Sequence, residues 1–232
     1  MTTDYSQHLA VFSRSTLMLP AVSFTFVDGQ AIFLDLANDH YVAAGVASSA
    51  ALERICTGAE LSERDSWMLR PLIERGLLPV GHDRIRAQLC EPCAVVETSW
   101  LDTLPSRVWM PAVRSAARIV SAGSRLRAQP LCEVVLQIQQ RKATLVPRES
   151  QLLPCHRLTA HYWSGMFLPA HGRCLARSVA LVGELLATGF ACDLVIGVMR
   201  NPFKAHCWAQ AGTTVLNDSL DEVRAFKPIL VI

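Results

Sequence analysis

An amphipathic helix followed by two strands of different character constrains this chain more than any other stretch. Leu175, Val179, Val182 and Leu186 recur at i, i+4, i+7 and i+11, which puts them on one face of a helix that Gly189 ends. Cys174 then stands in the first turn, where unpaired backbone N–H groups and the positive end of the helix dipole stabilise a thiolate. Residues 192–199 form a mostly apolar run after Asp193, the pattern of a strand deep in a sheet. Residues 204–210 alternate as a half-buried strand does, Gly212-Thr213 marks a turn, and residues 214–218 return. His206 and Asp218 are equidistant from Gly212, so a hairpin centred there sets them face to face, with Cβ atoms about 4.5–5.5 Å apart. A thiol on a helix end, an imidazole and an orienting carboxylate make a candidate Cys-His-Asp triad. Each member also has an ordinary alternative. Cys174 can be a buried thiol and His206 a core histidine, while Asp218 can cap a turn or helix, with Ser219 and Asp221 competing for the acid's place.

The N-terminal third reads differently. Residues 22–27, 31–36 and 40–43 are strand-like and are separated by Asp28-Gly29 and Asn38-Asp39, so a three-stranded meander is expected. A helix capped by Ser48 or Ser49 should run to Gly58, and Ser62 with Asp65 forms a capping box opening a second helix through Leu69. Pro71 suits the first turn of a third helix ended by Gly76, and residues 77–81 suit a wing-like last strand. Strands first and packed helices after make a small α+β module. The division expected is an extension at 1–20, this module at 21–82, a linker at 83–98 and a second domain at 99–232. In the second domain, residues 112–128 and 131–140 read as helices, and 141–172 as irregular. Arg114, Arg118 and Arg125 share one face of the first, read as a solvated face rather than a binding stripe.

Composition narrows the function classes. At 51% hydrophobic and 18% charged, 232 residues carry a core and are not intrinsically disordered. Net charge is −4 over residues 1–80, +5 over 81–157 and +1 over 158–232. An acidic module lacks the basic face that phosphate contacts need, which argues against nucleic acid. No secretory signal and no apolar run of about 18 residues is visible, so a cytoplasmic chain with reduced thiols and no membrane span is expected. Of eight cysteines, Cys90 and Cys93 form the one close pair, with Cys155-His156 the nearest complement. No second pair follows at zinc-site spacing, so no metal and no other cofactor is expected.

Gly172-Arg-Cys174-Leu175-Ala-Arg177-Ser178, Ile196-Gly197-Val198, Pro202-Phe203-Lys-Ala205-His206-Cys-Trp208 and Val215-Leu-Asn217-Asp218 resemble the lasso-peptide leader peptidases, which are transglutaminase-like cysteine proteases of ribosomal peptide biosynthesis. The resemblance implies a transglutaminase/papain-like domain with Cys174 as nucleophile, His206 as base and Asp218 as orienting acid. Cys207 stands where a small alanine is commoner. Phe33-Leu34-Asp35-Leu36-Ala-Asn-Asp39-His-Tyr41 similarly resembles PqqD-like peptide-recognition elements, here fused to the peptidase, which implies a winged-helix-like shape for the N-terminal module. That implies a leader strand bound beside the third strand, with Tyr41, Val42, Trp67 and Leu72 as candidates to line the groove. The implied partners are the precursor-peptide leader and an asparagine-synthetase-like lasso cyclase. ATP chemistry would be the cyclase's, since no P-loop occurs here. Transglutaminase-type acyl transfer and a non-catalytic peptide-binding chaperone are the alternatives.

Overall fold

A computed structural model describes residues 22–78, 87–90, 93–103, 109–145, 152–168 and 173–232. The chain is α+β and divides into two compact units between Cys90 and Glu91.

In the first unit, β1 (Val22–Val27), β2 (Gln30–Asp35) and β3 (His40–Ala43) form the expected antiparallel meander. Asp28 and Gly29, both at positive φ, close the first hairpin in two residues, the type I′ pattern that matches strand twist. The helix α1 (Val46–Thr57) starts earlier than expected, with Gly45 at its N-cap and Gly58 in the left-handed conformation after it. Ser48 and Ser49 lie inside α1, where they serve tertiary contacts instead of capping. The Ser49 hydroxyl accepts from the Ala31 N–H at 3.0 Å, and the Ser48 hydroxyl donates to the Met68 carbonyl at 2.7 Å. The Ser62–Asp65 capping box is present, and it opens α2 (Glu63–Glu74).

Two helices were expected across residues 62–76, and the structure has one, with Pro71 in its interior. A proline there removes the donor for the carbonyl four residues back. That residue is Trp67, which is 67% exposed, so water can serve the carbonyl. Leu69 and Leu72, on either side of the proline, are both in the core with Phe24, Phe33 and Leu52, and their burial carries the helix through. Leu77 and Leu78 are buried core residues outside any strand, and the rest of the wing-like strand expected at 77–81 lies outside the described residues. The segment expected to be a linker, 83–98, contains the boundary between the units, and strands lie on both sides of that boundary. β4 (Ala87–Leu89) joins the first sheet parallel to β1, giving the order β3-β2-β1-β4, and β5 (Thr98–Ser99) joins the second.

In the second unit a 3-10 turn (Trp100–Thr103) precedes α3 (Trp109–Ala128) and α4 (Leu131–Ala143). Residues 155–164, expected to be irregular, form α5 (Cys155–Ser164), entered at Pro154. The helix α6 (Cys174–Ala187) packs against α3 and against the sheet β5-β8-β7-β6-β9. Of the arginine face on α3, Arg118 meets Glu184 of α6 at 2.7 Å, and Arg157 of α5 meets the same carboxylate at 2.7 Å. One nearly buried glutamate thus ties three helices together. In the sheet, β7 (Lys204–Ala211) is the middle strand, with β8 (Thr214–Val215) and then β5 on one side, and β6 (Asp193–Met199) and then β9 (Lys227–Val231) on the other. The short helix α7 (Leu220–Arg224), capped by Ser219, connects β8 to β9.

Candidate active site

Cys174 is the first residue of α6, whose apolar face (Val179, Val182, Leu185, Leu186) is buried and so fixes where the helix begins. His206 is on β7, whose ladder with β6 runs unbroken from Lys204 to Gln210 and pairs His206 with Gly197. Any side chain at Gly197 would collide with neighbours, since a Cβ there would lie 2.8 Å from the Trp208 ring and 2.9 Å from Phe226 Cβ. That space lets Trp208 stack near His206, with ring centroids 6.2 Å apart, while Phe226 holds the imidazole at 5.1 Å. A Gly197→Ala substitution is therefore expected to displace Trp208 and with it the histidine. It should cost about 1–3 kcal/mol of stability, measurable by denaturant unfolding, together with loss of turnover.

The structure brings His206 and Asp218 together, but not as the facing pair of a symmetric hairpin. Gly212 and Thr213 form a two-residue turn, with Gln210 opposite Val215 and Ala211 opposite Thr214. This register would place residue 219, not 218, opposite His206, and β8 ends at Val215. Asp218 instead projects from the segment between β8 and α7. Its Oδ2 meets His206 Nε2 at 2.7 Å, and its Oδ1 accepts the Ser219 N–H at 2.8 Å. The segment is held by side chains that motif spacing alone does not single out. Asn217 Oδ1 accepts the Ala209 N–H at 2.8 Å, and Asn217 Nδ2 donates to Ser178 Oγ at 2.9 Å. Ser178 in turn donates to the Cys207 carbonyl at 2.8 Å, and Ser99 Oγ donates to the Asp218 carbonyl at 2.6 Å. The helix of the thiol, the strand of the imidazole and the turn of the carboxylate are thus cross-linked.

The electrostatics favour an ion pair. Burial pushes the Cys174 thiol up, but the hydrogen bond and charge of His206, with backbone N–H groups of Cys207 and Leu175, outweigh it and hold the thiol below its ordinary value. Burial pushes His206 down, but the hydrogen bond to Asp218, the hydrogen bond to Cys174 and the charges of both raise it to about 9. With Nε2 committed to Asp218, the ring meets the thiol through Nδ1. By contrast, burial raises the Cys207 thiol, as does the charge on Cys174, which favours its protonated form.

These groups line a cavity of about 580 Å³. Leu101, Tyr162, Trp163 and Met166 form an apolar wall, and Arg177, Asn217, Asp218 and Glu222 a polar one. Tyr162 and Trp163 of the apolar wall come from α5, a helix whose period the sequence does not show.

The candidate groove residues separate. Trp67 is exposed, Tyr41 and Val42 are half-buried, and Val42 packs on the first core. Leu72, at 4% exposure, is a core residue, because the helix passing through Pro71 turns it inward. No strand among the described residues covers the outer edge of β3. The Ala44 N–H bonds the Ala31 carbonyl, so by antiparallel alternation Val42 faces β2 while Tyr41 and Ala43 turn their backbone groups outward. Among the described residues no group of three or more His, Cys, Asp or Glu side chains is placed to hold a metal, and no helix is long and apolar enough to cross a membrane.

No curated protein and no solved structure matches the chain. Residues 103–231 match the transglutaminase-like superfamily, a span covering more than half of the chain and compatible with cysteine-protease or acyl-transfer chemistry.

Proposed function

Because the chain belongs to the transglutaminase-like superfamily, we propose that it is a cysteine endopeptidase that removes the leader of a ribosomally made lasso precursor peptide. The observation that carries this reading is the hydrogen-bonded series from Cys174 to His206 to Asp218, inside a cavity large enough for a peptide segment. The sequence motifs around all three residues support the narrower peptidase assignment.

In this reading the Cys174 thiolate attacks the carbonyl at the leader–core junction and forms a tetrahedral oxyanion. The Cys174 N–H, in the first turn of α6, is placed to donate to that oxyanion. The intermediate collapses to a thioester as the C–N bond breaks, and the His206 imidazolium protonates the departing core amine. Neutral His206 then takes a proton from water, whose oxygen displaces the thiolate and completes the leader carboxylate. The freed core amine is what a separate ATP-dependent cyclase, of the asparagine-synthetase type, requires to close the ring.

The N-terminal unit is the leader-binding element. A leader strand added to the outer edge of β3 gains main-chain hydrogen bonds, and Tyr41 and Trp67 supply side-chain contacts. Because both units belong to one chain, capture of the leader raises the effective concentration of the scissile bond. Ala43→Pro removes an outward donor without touching the β2–β3 ladder. It is expected to weaken leader-peptide binding by about ten-fold, roughly the worth of one main-chain hydrogen bond, measured by fluorescence anisotropy. Unchanged affinity would remove β3 from the proposal.

The whole reading is tested by mass spectrometry of the protein with a leader–core peptide. A single cut at the junction is expected. An intact peptide gaining an amine would establish acyl transfer, and binding without any change in the peptide would establish a chaperone.

A further inference from the structure

The cavity contains a cation that the mechanism leaves unused. Arg177 lines it, three residues beyond Cys174 on α6, and among the described residues its guanidinium makes no hydrogen bond or ion pair. The carboxylate whose charge acts on it is Asp218, whose two oxygens already serve His206 and the Ser219 N–H, while Glu222 lines the same wall without an ion pair to it among the described residues. The nearby imidazole is His161, buried at 2% exposure, where burial and then the Arg177 charge hold it neutral, down to about 3. Gly165 leaves the guanidinium its room, since a Cβ there would lie 3.3 Å from Arg177 Nη1. A part-buried guanidinium with five donors and no acceptor is costly to keep unless something supplies the counter-charge. A cavity open to substrate is where that supply comes from.

We propose that Arg177 is a specificity-determining residue that takes a carboxylate side chain of the substrate peptide. The inference rests on the peptidase reading of the cavity. Three residues along a helix correspond to a rise of about 4.5 Å on nearly the same face. An extended peptide advances about 3.3 Å per residue. The acidic residue therefore sits one or two positions from the scissile carbonyl. Planar guanidinium and planar carboxylate match in two parallel N–H···O bonds, which a lysine or a glutamine at position 177 cannot reproduce.

The test reads the rate at which electrophilic peptides modify Cys174 in the full chain. Peptidyl vinyl sulfones extend the acyl side and epoxysuccinyl peptides the amine side, each with Asp, Asn or Lys at the first and second positions. The wild-type protein should react at least about ten-fold faster with Asp than with Asn at one position. Arg177→Gln should erase that ratio, and Arg177→Glu should turn the preference to Lys. Equal rates for Asp and Asn at every position in the wild type would overturn the proposal, whatever the variants do. So would an Asp preference that survives in Arg177→Gln. If iodoacetamide modifies Cys174 but none of the peptides does, the peptidase reading falls and this inference with it.

Discussion

Cys174→Ala should leave leader binding intact and lower peptide cleavage by about 10⁴-fold or more, the scale on which removal of a nucleophile acts in a concerted site. The fold has little reason to change. Cys174 is at the first turn of α6, and the packing that fixes the helix comes from Val179, Val182, Leu185 and Leu186 further along. Peptide affinity from anisotropy and turnover from chromatography of the products separate the two effects. Full cleavage by the alanine variant would remove Cys174 from the chemistry.

Asp218→Asn is expected to act through the histidine and to show it in the pH profile. In the native site the thiol is held below, and His206 at about 9, so a thiolate–imidazolium pair exists between the two titrations. The rate should rise as the thiol loses its proton. It should fall as pH passes about 9, where His206 loses the proton that the leaving amine needs. The two limbs belong to the coupled pair and not to either residue alone. The hydrogen bond and charge of Asp218 are among the causes that raise His206, so asparagine should move the alkaline limb of kcat/KM to lower pH. Loss of orientation should also reduce the rate by about 10²–10⁴-fold. A reduced rate with an unmoved alkaline limb would mean that Asp218 only supports the turn.

Periodic segments were legible in the sequence because their period reports burial directly. The meander at 22–43, the helix carrying Cys174 and the two strands after it all lie within a residue or two of where the pattern puts them. What escaped depends on long-range contacts. Pro71 reads locally as a helix start, yet burial of Leu69 and Leu72 overrides it. The helix α5 has consecutive buried residues from Leu158 to His161, which hides the helical period. Symmetry about Gly212 brought His206 and Asp218 together for a partly mistaken reason. The turn is centred between Gly212 and Thr213, and a one-residue change of register moves every facing pair. The carboxylate reaches the imidazole only because Asn217, Ser178 and Ser99 fix the segment that bears it, and no local pattern announces such a network.

The proposed mechanism passes through a covalent acyl-enzyme on Cys174, which acid-quenched mass spectrometry during turnover of a leader–core peptide can trap. The expected result is a hydroxylamine-labile adduct of leader mass on the fragment that contains Cys174. Cleavage that continues after iodoacetamide has blocked Cys174, or an adduct carried by a different residue, would contradict it.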